Sequence, residues 1–142
     1  MNYLQTIKLG SNKLRLRNIK SHALDSELLL SYILNSSREK LLTNLKTKVK
    51  KKKLNEFKKL LRRRERDEPI AYITQKKEFW KNTFYVDQDV LIPRPETELI
   101  VEEVLREIYE NSSKSLIEIG TGSGCIIISI IKERLNCHAT AI

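Results

Sequence analysis

Apolar residues recur at three- and four-residue steps through much of the first half of the chain. Ser21 can cap a helix that runs through Leu28, Leu29, Leu30 and Tyr32 to Leu34. Ser36 and Glu39 have the spacing of a capping box, and Leu41, Leu42 and Leu45 follow as an apolar stripe. From Val49 to Arg66 the pattern predicts a third helix, with Leu54, Phe57, Leu60 and Leu61 on one narrow face. Its remaining positions are mostly lysine and arginine and should point outwards. Residues 1–69 therefore read as a small helical bundle.

Pro69 ends that pattern. Ile70–Ile73 and Phe79–Val86 are rich in aromatic and β-branched residues, which predicts a hairpin within a linker over residues 70–88. Pro93 and Pro95 then pin the backbone. Pro95 or Glu96 should open a helix, because proline costs little in a first turn and Glu96 and Glu98 suit the positive end of the helix dipole. Leu99, Ile100, Val104, Leu105 and Ile108 are its expected buried face. After the turn-like Asn111-Ser112-Ser113, Ser115–Ile119 reads as a short buried strand, Cys125–Leu135 as a helix and His138–Ile142 as a second strand. The expected class is α/β: a helical bundle, a hairpin linker, and from residue 89 the opening strands of a nucleotide-binding, Rossmann-like sheet.

Between that strand and helix stand three of the four glycines of the chain, Gly120, Gly122 and Gly124. A loop entering a helix can approach a ligand closely only where side chains are absent, and glycine also supplies backbone angles that other residues avoid. Dinucleotide folds favour G-x-G-x-x-G. Here the glycines alternate strictly, with Glu118 two residues before the first. Thr121 and Ser123 fill the gaps and are candidate cofactor contacts.

Charge divides the chain in the same place. Over residues 1–80, 21 basic residues against 8 acidic give +13; over residues 81–142, 6 against 10 give −4. That asymmetry suggests two units with different partners, the basic one a contact surface; the alternative is a compositional bias, since lysine, isoleucine and asparagine are all abundant. Two cysteines, Cys125 and Cys137, form neither a disulfide framework nor a metal-ligand pattern. No apolar run reaches the length of a membrane span, and the first residues lack the basic region and apolar core of a signal peptide. These features predict a cytoplasmic monomer without a metal. His22 and His138 are isolated, and Cys125 sits where a helix dipole could lower a thiol pKa, although packing is the commoner reason for such a cysteine. Phe79 and Trp80 are expected to fill the hairpin's core.

The alternating glycines after Glu118 resemble the first motif of class I S-adenosylmethionine-dependent methyltransferases. VLIPRPETE (residues 90–98), ALDSELLLSYIL (23–34) and RRRERDEPIAYITQKKEFW (62–80) resemble segments of the HemK/PrmC group of glutamine methyltransferases that modify peptide chain release factors. Glu118 departs from the aspartate of many members but keeps the carboxylate. The resemblance implies S-adenosyl-L-methionine as cofactor, bound by Glu118, Gly120, Thr121, Gly122, Ser123 and Gly124. It further implies a positioning role for Arg94, Pro95 and Glu98, and a release factor as protein substrate, recognised by the helical domain. The family holds its substrate amide with an Asn-Pro-Pro-Tyr motif. The only prolines here are Pro69, Pro93 and Pro95. The reading is therefore of a fragment that ends before the catalytic residues and is inactive alone. The alternative is an RNA- or ribosome-binding module built on the basic helix 49–66 and attached to a nucleotide-binding unit; no RNA-binding motif and no interleaved aromatics accompany those charges.

Overall fold

The computed structural model describes all of residues 1–142, in two compact units, Met1–Thr74 and Gln75–Ile142. The first is helical: α1 (Tyr3–Leu16), α2 (His22–Leu34), α3 (Arg38–Thr43), α4 (Lys51–Arg64) and α5 (Ile70–Thr74). Its core gathers Leu14, Leu29, Leu30, Phe57 and Leu61, all essentially inaccessible to solvent. Each such side chain contributes about 1.5–3 kcal/mol by burial.

Helix α1 is not predicted by the sequence pattern. A capping box opens it: Asn2 Oδ1 accepts the Gln5 N–H at 2.8 Å and Gln5 Oε1 accepts the Asn2 N–H at 2.9 Å. The run Gly10-Ser11-Asn12 hides its periodicity, yet Gly10 is what lets α1 press against the bundle. A Cβ there would lie 2.3 Å from Ser26 Oγ and 2.8 Å from Phe57 Cζ.

Other expectations shift by a residue or change type. The cap of α3 is Ser37, whose side chain accepts the Lys40 N–H, so Ser36 and Glu39 form no capping box. Ser21 precedes α2 without capping it; its hydroxyl instead donates to Asp25 Oδ2 at 2.8 Å. Residues 70–74 are a helical turn and not a strand: the Tyr72 and Ile73 N–H groups both donate to the Pro69 carbonyl, and Ala71 and Ile73 are buried. Four β-branched and aromatic residues are too few to separate the two periods, and Pro69 pre-sets the backbone for a helix start.

In the second unit the hairpin is shorter than expected, pairing β1 (Lys77–Phe79) with β2 (Asn82–Phe84). A 3₁₀ turn at Pro95–Thr97 leads into α6 (Glu98–Glu107). Three consecutive apolar residues at its start leave the phase open in sequence. In the structure Val101 is fully buried while Leu99 and Ile100 are 62% and 50% exposed. The inward stripe is Val101, Val104, Leu105 and Ile108, at i, i+3, i+4 and i+7. Strand β3 (Ser115–Glu118), helix α7 (Cys125–Glu133) and strand β4 (His138–Ala141) complete the unit. The strands run parallel, pairing Ser115 with His138 through Glu118 with Ala141. The expectation of a buried strand fails on one face: Leu116 is half-buried, but Ile117 and Ile119 are 71% and 84% exposed. No helix is long and apolar enough to cross a membrane.

Candidate functional site

The loop between β3 and α7 leaves the carboxyl end of a parallel strand, where α/β units bind their ligands. Its three glycines all have positive φ: +77° at Gly120, +55° at Gly122 and +74° at Gly124. Other L-residues strain there. Beyond that shared angle the glycines differ. A Cβ on Gly120 or Gly122 would meet nothing within 4 Å, so both face open space. A Cβ on Gly124 would stand 2.9 Å from Ile128 Cδ1, so this residue serves the packing of the first turn of α7.

Backbone bonds hold the loop in place. The Gly120 and Thr121 N–H groups donate to the Ile142 carbonyl at 2.7 and 3.1 Å, the Ile142 N–H donates to the Glu118 carbonyl at 2.9 Å, and the Gly124 N–H donates to the Thr121 carbonyl at 2.9 Å. The N–H groups of Gly122, Ser123, Cys125 and Ile126 have no backbone acceptor. They form an electropositive edge at the start of α7. Beside it lies Glu118, half-buried, whose Oε2 accepts the Thr121 hydroxyl at 2.8 Å. Thr121 thereby orients the carboxylate.

A cleft of about 490 Å³ opens between β2 and this loop, bordered by Asn82, Tyr85, Asp87, Gly122, Ser123 and Lys132. Lys132 Nζ donates to Asn82 Oδ1 at 2.6 Å across one wall. No local pattern connects Lys132 with Asn82, and neither stands out in the sequence. A smaller apolar groove of about 290 Å³ runs along Ile100, Leu116, Ile117, Ile119 and Ile130.

The proline segment is placed differently from the loop residues. Arg94, just before the 3₁₀ turn, is exposed; its carbonyl accepts the Thr97 N–H at 3.1 Å but its side chain has no hydrogen-bond or ion-pair partner, and Pro95 is exposed in the turn itself. Glu98 plays a structural part, its Oε1 accepting the Trp80 N–H at 2.8 Å. Trp80 adopts φ +53° at the hairpin turn, and Phe79 is fully buried. Trp80 Nε1 donates to Glu133 Oε1 at 3.0 Å, and Lys81 Nζ pairs with the same oxygen at 2.6 Å. Glu98 and Glu133 thus fasten the hairpin to the start of α6 and the end of α7.

Burial pushes the Cys125 thiol up, and the nearby Glu118 charge adds to this, while a hydrogen bond with Ser123 partly offsets it. The helix dipole does not make it a reactive thiolate. Both cysteines are buried and free. His22 Nδ1 lies 2.9 Å from Ser11 Oγ within the first unit, and His138 is an exposed strand residue. No group of His, Cys, Asp or Glu side chains is arranged to hold a metal ion.

The fold therefore defines a helical domain followed by a parallel strand–glycine loop–helix–strand unit with a carboxylate at the loop. The family model for the PrmC N-terminal domain matches residues 5–74. The release factor glutamine methyltransferase of Buchnera aphidicola subsp. Baizongia pistaciae is 38% identical over 136 residues, covering 96% of this chain and 49% of that protein. That of Leptospira interrogans is 37% identical over 138 residues, covering 96% and 48%. A bifunctional methyltransferase of Rickettsia conorii is 35% identical over 161 residues, covering 96% and 31%. The chain matches the amino-terminal part of HemK/PrmC-family proteins. It spans about half the length of the two release factor methyltransferases.

Proposed function

We propose that this chain is the cofactor-loop and recognition portion of an S-adenosylmethionine-dependent methyltransferase. Its substrate would be the glutamine side-chain amide in the Gly-Gly-Gln loop of a peptide chain release factor, and its compartment the cytoplasm. The observation that carries the reading is the glycine loop. Two positions without side chains, both at positive φ, face open space at the end of a parallel strand, with a carboxylate held beside them. That donor set suits a ligand bearing both an amino-acid group and a ribose. The free amides of Gly122 and Ser123 can take a carboxylate, and Glu118, oriented by Thr121, can accept from an ammonium or hydroxyl group. When bound, the sulfonium supplies the methyl group.

The residues of this chain would bind and orient. Gly120 and Gly122 let backbone approach the cofactor, and Gly124 fixes the helix start that directs the amides. Arg94, exposed and unpaired, is free to contact substrate or cofactor. Glu98 sets the hairpin on α6. An amide nitrogen is a poor nucleophile, so transfer depends on holding it in line with the methyl donor. In the resembling family an Asn-Pro-Pro-Tyr segment does this, and the 142 residues contain no such segment. We expect the purified chain to transfer no methyl group to a release factor by itself.

Equilibrium dialysis of the 142-residue chain against labelled S-adenosylmethionine, with NAD and FAD as competitors, tests the cofactor assignment. Saturable binding that neither dinucleotide displaces is expected. Gly122→Val should abolish it, because a β-branched side chain strains at φ +55° and projects into the open space at the loop, and circular dichroism checks that the helices are retained. Capture of a dinucleotide in preference to S-adenosylmethionine would overturn the assignment.

A further inference from the structure

Helix α4 carries a cationic face that neither the core nor the proposed methyl transfer uses. At 100° per residue, Lys51, Lys52, Lys58, Lys59 and Arg62 fall within an arc of roughly 120°, spread over about 16 Å of helix axis. All five are exposed, and Asn55 is the only uncharged residue in the arc. None of the five side chains has a hydrogen-bond or ion-pair partner.

The acids nearby are committed to other cations. Glu56 pairs with Lys53 at 3.1 Å, Glu65 with Lys13 at 3.9 Å and Asp25 with Arg64 at 2.7 Å, while Glu68 pairs with Arg63. Asp67 lies beyond the helix end. The flanks of α4 are thus neutralised and one face is left with five free positive charges. Mutual repulsion along that face costs stability, and a polyanion laid on it would remove the cost.

The composition of the face decides which polyanion. Protein interfaces are depleted in lysine and centre on a buried aromatic or aliphatic anchor. This arc holds four lysines and no apolar side chain. Phosphate backbones need no such anchor: one nucleic-acid strand presents a negative charge per roughly 3.4 Å, so about 16 Å of helix can meet several at once. With no aromatic interleaved, bases are not read.

We propose that the exposed face of α4 binds the phosphate backbone of RNA without sequence preference. The proposal rests on nothing in the methyl-transfer reading. Anisotropy of a labelled uridine RNA of about 20 nucleotides, titrated with the full chain between about 50 and 200 mM salt, tests it. Five phosphate contacts on a single strand predict a log K against log salt slope of about −3.5. Substituting Lys58→Gln, Lys59→Gln and Arg62→Gln together should weaken binding at least about tenfold and lower the slope by about 2. The charge-matched triple Lys40→Gln, Lys76→Gln and Lys114→Gln should bind as the unchanged chain does. All six side chains are exposed, and circular dichroism of each triple checks that the fold is intact. Absence of saturable RNA binding at the lower salt, or equal loss in both triples, would overturn the proposal. So would binding of an acidic protein, a release factor included, that needs the α4 cations while RNA does not bind.

Discussion

Gly10→Ala sets two effects of opposite sign against each other, and the packing of α1 decides between them. On an exposed helix this change stabilises by about 1 kcal/mol, because alanine loses less backbone entropy. Gly10 is buried where α1 meets α2 and α4, and the new Cβ would lie 2.3 Å from Ser26 Oγ, 3.2 Å from Ser26 Cβ and 2.8 Å from Phe57 Cζ. The serine hydroxyl cannot turn away without loss, since it donates to the Ile7 carbonyl at 2.8 Å in a fully buried setting. The phenylalanine ring is fully buried within the core cluster of the first unit. Overpacking of this kind costs about 1–3 kcal/mol, and a broken buried hydrogen bond about 1–3 kcal/mol more. After the helix-propensity gain is subtracted, a net loss of about 2–3 kcal/mol remains, equivalent to about 10–20 °C in Tm for a unit of this size. Thermal and urea unfolding followed by far-UV circular dichroism report it, since most of the helix lies in the first unit. Adding Ser26→Ala removes one of the clashing atoms, so the double variant should be more stable than the sum of the singles by about 1 kcal/mol. A Tm for Gly10→Ala equal to or above that of the unchanged chain would refute the close packing of α1.

Two further predictions concern charges. Asp25 and Arg64 form a nearly buried pair, so Arg64→Ala strands a carboxylate and should cost about 3 kcal/mol in urea unfolding, whereas Asp25→Leu with Arg64→Met should cost much less; equal losses would show that the pair is not desolvated. Glu133 is held below its ordinary value of 4.5, first by Lys81 and then by the Trp80 indole N–H. Its contribution is complete above pH 4.5 and is lost as pH falls through the lowered value. Trp80, the only tryptophan, should therefore shift its emission below pH 4.5, with Glu133→Gln resembling the acid form at neutral pH; a midpoint at or above 4.5 would contradict the pairing.

What could be read from the sequence follows physical range. Helices α2 and α4 were legible because their leucines and Phe57 repeat over three or more turns. The glycine loop was legible because positive φ leaves little choice of residue, and strand, loop, helix and strand follow one another without long-range information. Helix α1 was hidden because its defining contact, Gly10 against Ser26 and Phe57, is tertiary, and a glycine inside a helix reads locally as a break. The phase of α6 was ambiguous because Leu99, Ile100 and Val101 are all apolar, and only packing selects Val101. The fastening of Trp80 to Glu133, and of Lys132 to Asn82, joins positions about 50 residues apart and leaves no local trace. At the site, Glu98 invited a chemical label by its motif; its hydrogen bond to the Trp80 amide gives it a structural role that the motif does not reveal.

The same contrast between units predicts where the chain opens first. The first unit closes around Leu14, Leu29, Leu30, Phe57 and Leu61, while the second has a smaller cluster of Phe79, Phe84, Val101, Cys125 and Ile130. Strands β3 and β4 form a sheet of only two strands, and Ile117 and Ile119 are mostly exposed on it, each forgoing about 1.5–3 kcal/mol of burial. A two-stranded sheet is marginal without a covered face, so its hydrogen bonds should break in local openings well below the global unfolding free energy. Hydrogen exchange on the native chain should find the amides of Leu29 and Leu30 the slowest, and those of Gly120, His138 and Ile142, which bond across β3 and β4, faster by several orders of magnitude. A ligand that occupies the glycine loop must select the closed form, so saturating S-adenosylmethionine should slow exchange at β3, β4 and the start of α7 and leave α2 unchanged. Equal protection of β3 and α2 in the free chain would mean that the exposed isoleucines cost the sheet nothing, and the argument from burial would fail.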